Sequence, residues 1–124
     1  MNKNDFTYKA DRKIFVATIT GMEISIREEQ MTEEILSLTE KILSEYSQTI
    51  TLISDYLSKD EGFVTFYGNI SKEVIAKKLG EPNISVDKDG GVLSYCNHEL
   101  DQDHIIDLEF GGALEKFYYV NIDG

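Results

Sequence analysis

The chain has 124 residues, of which 41% are apolar and 28% are charged, and these proportions argue against a disordered or membrane-embedded protein. At this length we expect a single domain, residues 1–124, built around one core. Twelve basic residues against 23 acidic ones give a net charge of −11, and a surface of that sign repels phosphate backbones, which argues against nucleic-acid binding.

The N-terminal residues 1–5 lead into no apolar segment of the kind that signal peptides contain. No apolar run in the sequence approaches the roughly 18 residues that a membrane-spanning helix needs. We therefore expect a cytoplasmic protein that has no membrane partner.

Residues 14–27 are predicted to form a β-hairpin. Apolar side chains recur at every second position on both sides of Gly21, as Ala17 and Ile19 do before it and Ile24 does after it. A period of two is typical of a strand, and a glycine adopts the positive φ of a tight turn at little cost.

A long helix is predicted over residues 28–58, where the apolar period changes to steps of three and four residues. It begins either at Glu28 or one turn later, with Thr32 as its N-cap. The β-branched residues 49–51 lower the helix propensity, which leaves open whether the helix bends, breaks or is continuous there, and Gly62 is expected to stop it. The apolar stripe consists of Met31, Ile35, Leu38, Ile42, Tyr46, Ile50, Ile53 and Leu57.

A second, shorter helix follows a short apolar segment. Residues 63–67 fit either a strand or a buried linker. After them, Ser71 is a suitable N-cap, and Gly80 followed by Pro82 ends the helix that it begins.

The last third of the chain is predicted to form an antiparallel meander in which Leu108 faces the core while Asp107 and Glu109 face outward. Its expected strands are residues 84–86, 92–96, 104–110 and 114–122. Because a sheet with one apolar face needs a cover, we expect an α+β fold. In it a mostly antiparallel sheet, made of the N-terminal hairpin and the C-terminal meander, is covered on one face by the long and the short helix.

Two loops contain residues that bind metals in other settings. The loop between the second and third meander strands holds His98, Glu99, Asp101, Asp103 and His104, which fits a solvated turn best and leaves a zinc or iron site or a partner-binding loop as alternatives. Residues 87–91 resemble the start of a calcium loop but lack its later acidic ligands, so their glycines are expected to serve a hairpin turn.

The sequence offers no recognisable catalytic motif. Ser85 and Ser94 lack a nucleophile-elbow signature, and Gly111 with Gly112 lacks the flanking pattern of a phosphate-binding loop. Cys96 is the only cysteine, and its place in an apolar stretch predicts a small buried side chain and not a reactive nucleophile. We therefore expect a protein that is not an enzyme and has no cofactor.

Acidic residues are unevenly distributed along the chain. Residues 28–62 hold nine acids against two lysines, a net charge of −7. Such a surface either keeps the protein in solution or attracts a basic partner and speeds its association. Any tyrosine that lies exposed beside these acids would supply an aromatic anchor for that partner.

Two segments, residues 15–26 followed by the acidic helix and residues 103–110 with Leu114, Glu115 and residues 120–124, resemble an uncharacterised family of small bacterial domains. Similar small acidic α+β proteins occur among the immunity proteins of polymorphic-toxin systems. The resemblance implies a cytoplasmic inhibitor that covers the active site or substrate groove of a toxin, and it supplies no catalytic residue.

The leading hypothesis is therefore a binding protein that neutralises a basic toxin through an acidic surface. The residues expected to contact the partner are Glu99, Asp101, Asp103, Asp107 and Glu109. Two alternatives remain open: a metal- or small-ligand-binding enzyme built around His98 and His104, and a homo-oligomeric regulatory module.

Overall fold

A seven-stranded sheet forms the base of the fold in the computed structural model, which describes residues 1–124. The strands follow one another across the sheet in chain order, and every neighbouring pair is antiparallel except the third and fourth, which are parallel. They are β1 (Thr7–Lys9), β2 (Ile14–Ile19), β3 (Met22–Arg27), β4 (Asn83–Asp87), β5 (Gly90–Tyr95), β6 (Ile105–Gly111) and β7 (Lys116–Asp123).

Three helices connect β3 to β4: α1 (Glu33–Lys59), α2 (Glu61–Tyr67) and α3 (Lys72–Lys78). A parallel pair of strands needs such a crossover, because the chain must return to the end of the sheet from which it started. The predicted α+β fold with a mostly antiparallel sheet is confirmed. None of the helices is long and apolar enough to cross a membrane.

The predicted N-terminal hairpin is present as β2 and β3. Thr20 and Gly21 both have positive φ angles, 48° and 84°, which is the geometry that joins two antiparallel strands through a two-residue turn. The sequence did not predict β1, because its three residues are all exposed and carry no apolar alternation. Tyr8 of β1 lies opposite Phe15 of β2, and their rings are in contact.

The later of the two predicted starts of the long helix is correct. Thr32 is the N-cap, and its Oγ1 accepts a hydrogen bond from the backbone N–H of Ile35. Residues Glu28–Gln30 form a separate 3₁₀ turn. The helix is continuous through residues 49–51, where the hydroxyl of Thr49 donates to the carbonyl of Glu45 one turn earlier. The question that the sequence left open at residues 49–51 is thus answered by one continuous helix.

The predicted stop at Gly62 is wrong. The helix ends at Lys59 because Asp60 has an extended backbone, and the same residue caps α2, with its Oδ2 accepting from the N–H of Phe63. Gly62 lies inside α2, and residues 63–67 are helical instead of a strand or linker. An apolar run of five residues fits either a helix or a strand. Here the carboxylate of Asp60 caps the first turn and thereby favours the helix.

The shorter helix and the four meander strands are present where the sequence predicted them, with strand ends shifted by up to two residues. Ser71 caps α3 by accepting from the N–H of Val74. The meander strands alternate as expected, with Leu108 buried and Glu109 exposed. The turn between β4 and β5 consists of residues 88–89, whereas the glycines expected there begin β5. At Gly91 a Cβ atom would overlap the carbonyl oxygen of Ser85, so this glycine permits the close approach of two strands.

One apolar core of 23 buried residues lies between the helices and the sheet. A single polar link crosses it: the hydroxyls of Tyr46 on α1 and Tyr95 on β5 are 2.8 Å apart and hydrogen-bonded. Burial, which outweighs the hydrogen bond from Tyr95, raises the pKa of Tyr46 to about 12. Burial also raises the pKa of Tyr95 well above its usual value, so both hydroxyls stay protonated and the link persists at neutral pH.

We predict that Tyr95→Phe lowers the free energy of unfolding by about 1–3 kcal/mol, because it leaves the buried hydroxyl of Tyr46 without a partner. The double variant Tyr46→Phe/Tyr95→Phe should recover most of that loss, because neither hydroxyl then remains unpaired. Urea denaturation of the wild type, of the single variants Tyr46→Phe and Tyr95→Phe, and of the double variant measures the coupling between the two residues. Additive losses in the double variant would show that the hydrogen bond contributes no coupling.

Candidate functional site

The face of the sheet that the helices do not cover, here called the open face, carries two of the predicted partner-binding acids. Asp107 and Glu109 lie on β6 with their side chains opposite the buried face. Glu109 is paired across strands with Tyr119 of β7, and Asp107 with Asn121. Cross-strand partners on one face lie within contact distance, so each acid has a polar or aromatic neighbour.

A β-bulge places two tyrosines beside these acids. Glu109 pairs with Tyr119 but Phe110 pairs with Phe117, so Tyr118 is the extra residue of β7. Tyr118 and Tyr119 are 55% and 59% exposed, although they are large side chains that are costly to leave in water. The ring of Tyr118 lies over Gly111, where any Cβ atom would overlap it. We call Asp107, Glu109, Tyr118 and Tyr119 the tyrosine–acid surface.

The loop between β5 and β6 is held by His98, which is only 6% exposed. The backbone N–H of Leu100 donates to its Nδ1 over 3.1 Å. The Nε2 atom therefore carries the ring hydrogen and donates to the carbonyl oxygen of His104 over 2.7 Å. Because both ring nitrogens are engaged by the backbone, neither offers a lone pair to a metal or a proton to a substrate.

A second set of hydrogen bonds, between Asp101 and His104, also holds this loop in place. The Nδ1 of His104 donates to Asp101 Oδ2 over 2.8 Å, and the backbone N–H of His104 donates to Oδ1 over 3.3 Å. Desolvation acts to raise the pKa of Asp101, but the hydrogen bonds and the charge of His104 outweigh it and hold that pKa below its usual 3.8. The ring of Phe66 packs edge-on against His104, with centroids 4.6 Å apart.

Tyr67 of α2 lies beside the Asp101–His104 pair. Its hydroxyl is buried and has no hydrogen-bond partner. Burial, together with the negative charge of Asp101, raises the pKa of Tyr67 far above the usual value for tyrosine. Because Asp101 is bonded to His104, which packs against Phe66 of α2, Asp101 lies on the helical side of the sheet, away from the open face that carries Asp107.

The five predicted partner-binding acids therefore do not form one patch. Asp107 and Glu109 lie on the open face, Glu99 and Asp103 are exposed in the loop, and Asp101 is held by His104. Sequence spacing could not show this separation, because it depends on which side of the sheet the loop folds. It also could not show the bulge at Tyr118, which pairing alone reveals.

Asp101 lies near both histidines that the sequence offered for metal binding, with its carboxylate 3.7 Å from His98 Nε2 and 2.8 Å from His104 Nδ1, but hydrogen bonds occupy these nitrogens. No three histidine, cysteine, aspartate or glutamate side chains lie close enough together to hold a metal ion. Cys96, expected to be buried, is exposed, because Tyr95 takes the inward position and the strand ends there. Partial burial and the charges of Asp107 and Glu23 raise the pKa of the Cys96 thiol, which disfavours the reactive thiolate.

Comparisons with protein-family models, with curated proteins and with solved structures find no match to this chain. The contacts, exposure and charges of its own residues are therefore the basis for assigning a function.

We predict that His98→Phe lowers the free energy of unfolding by about 2 kcal/mol, because the N–H of Leu100 and the carbonyl of His104 lose their partners. Urea denaturation at neutral pH measures the loss. Asn97→Ala is the matched control, since Asn97 is exposed and its substitution should change the stability by less than about 0.5 kcal/mol. Equal stabilities of the two variants would contradict the role of His98 in holding the loop through its two hydrogen bonds.

We predict that Asp101→Asn is less stable than the wild type at neutral pH and that the difference shrinks in acid. A carboxyl whose pKa is lowered by folding adds stability above its unfolded pKa, and this stability is lost as the pH falls through the folded value. Urea midpoints at pH 7 and at about pH 2 test this. Asp103→Asn serves as the control, because Asp103 is exposed in the same loop and its side chain makes no hydrogen bond or ion pair. A pH-independent deficit in Asp101→Asn would contradict the prediction.

Proposed function

We propose that this chain is a non-enzymatic cytoplasmic protein that binds and neutralises a basic protein, in the manner of an immunity protein acting on a toxin. The observation that supports the proposal most is the tyrosine–acid surface, where two exposed tyrosines lie beside Asp107 and Glu109. Glu99 and Asp103, exposed in the loop between β5 and β6, lie outside this surface and add only to the overall negative charge.

The chemistry of this surface suits a cationic protein. Tyrosine buries a large ring at low entropic cost and keeps a hydroxyl for hydrogen bonding, which makes it a frequent anchor in protein interfaces. Carboxylates beside such anchors attract lysine and arginine side chains and accept their hydrogen bonds. The net charge of −11 adds a long-range attraction that speeds the encounter with a partner of opposite sign.

The two histidines support a binding role over a catalytic one. His98 is engaged through both ring nitrogens with the backbone, and His104 is bound to Asp101 and covered by Phe66. Each contact serves to fix the shape of the loop beside β6. A fixed loop holds the start of β6, which carries Asp107, and preorganised side chains lose less entropy when a partner binds.

The test is capture of a partner from a lysate of the encoding organism with the tagged chain as bait, followed by binding kinetics with the purified partner at about 50 and 300 mM salt. We predict one stoichiometric basic protein whose association slows about tenfold with Asp107→Lys/Glu109→Lys and depends less on salt. Tyr118→Ala/Tyr119→Ala should instead speed its dissociation, because the anchors are lost.

The matched control is Asp11→Lys/Glu34→Lys, which makes the same change in net charge at exposed positions away from the tyrosine–acid surface. Equal loss of binding in this control would assign the effect to overall charge and overturn the proposed site. Absence of a basic partner, or a neutral or acidic one, would overturn the proposed function itself.

A further inference from the structure

A groove of about 450 Å³ runs between the C-terminal half of α1 and the start of β7. Its floor is apolar and consists of Leu52, Tyr56 and Phe117. The rings of Tyr56 and Phe117 are in contact, with centroids 5.5 Å apart, and Leu52 is 61% exposed, the largest exposed fraction among the large apolar side chains. The floor thus leaves apolar surface in water that a ligand side chain would cover.

The rim of this groove is acidic. It contains Asp55, Lys59, Asp60 and Glu61. Lys59 donates to Asp55 over 3.1 Å, so these two charges largely neutralise each other. Asp60 and Glu61 have no cationic side chain within ion-pair distance, and they leave the rim with a net charge of −2. An occupant with an apolar side chain and flanking positive charges complements both the floor and the rim.

The groove also adjoins an unpaired sheet edge. Phe117 belongs to β7, which pairs with β6 on one side and with no strand on the other. The outward backbone N–H and C=O groups of an edge strand can bond to an extended segment of another chain. The eight residues of β7 contain no proline, and the bulge at Tyr118 turns Tyr118 and Tyr119 toward the opposite face.

From these three features we propose that the groove binds an extended basic segment of the protein partner, with an apolar side chain on Leu52, Tyr56 and Phe117. Cationic side chains on either side of it contact Asp60 and Glu61. This inference rests on the proposed function, because it assigns the mode by which the same partner is held. The groove and the tyrosine–acid surface flank opposite faces of β7, so a partner that engages both encloses the edge strand.

Two linked contacts strengthen binding beyond either alone, because the second forms within the complex at a high effective concentration. Weakening the groove should therefore speed dissociation of the whole partner, whereas it should leave the charge-steered association rate nearly unchanged. This signature differs from that of Asp107→Lys/Glu109→Lys, which acts mainly on association.

The groove can be tested without the partner by using a peptide probe, acetyl-Lys-Leu-Lys-Phe-Lys-amide, and its counterpart with glutamates in place of the lysines. Amide NMR spectra of the labelled protein report where each peptide binds. We expect the lysine peptide to shift the signals of Leu52, Tyr56 and Phe117 with a dissociation constant of about millimolar, as befits a short peptide. The glutamate peptide should leave these signals unchanged.

Leu52→Ser and Glu61→Lys should each weaken the lysine peptide about fivefold or more, since both side chains are exposed and their removal should not disturb folding. Val74→Ser and Glu34→Lys make matched changes outside the groove and should leave its affinity within about twofold. The proposed groove is wrong if the lysine peptide does not bind at concentrations up to about 10 mM or shifts signals outside the groove. It is also wrong if Val74→Ser and Glu34→Lys weaken the peptide as much as the groove variants do.

The peptide experiment separates the two proposals. If the lysine peptide does not bind the groove but a basic partner is held through Asp107 and Glu109, the proposed function stands and the groove assignment is wrong. If the peptide binds the groove and no basic partner is found, the groove is a peptide site and the proposed function is wrong.

Discussion

The packing of α1 against one face of the sheet is the contact on which the rest of this structure depends. Its side chains Ile42, Ile53 and Leu57 are completely buried, and each such burial contributes roughly 1.5–3 kcal/mol. Because α1 belongs to the crossover that lets β3 and β4 run parallel, the same contact covers the core and joins the N-terminal hairpin to the C-terminal meander.

Covering only one face of the sheet creates the two surfaces to which we assign binding. The open face carries polar residues and, at the bulge, the exposed Tyr118 and Tyr119. On the covered face, α1 reaches the edge strand without closing over it, and the groove beside Phe117 remains. Both surfaces thus meet at β7. The loop between β5 and β6, which His98 and His104 hold in place, fixes the start of the neighbouring strand β6.

The sequence predicted those elements whose period extends over many residues, such as the stripe of α1 and the alternation around Leu108. It failed where one contact decides between two structures: the capping by Asp60 makes residues 63–67 helical, and the end of β5 exposes Cys96. The candidate site was predictable in charge but not in arrangement, because the position of Asp101 and the bulge at Tyr118 depend on pairings between segments distant in sequence.

The sequential order of the strands has a consequence for how the chain folds. All six strand pairs join strands that are consecutive along the chain, and five of them close short loops, whereas Ile24 of β3 meets Ile84 of β4 sixty residues later. The pairing of β3 with β4 therefore accounts for the largest loss of conformational entropy on loop closure. The hairpin at one end and the meander at the other can each form from local contacts, so we expect the docking of α1 onto both to be the step that joins them into one cooperative unit.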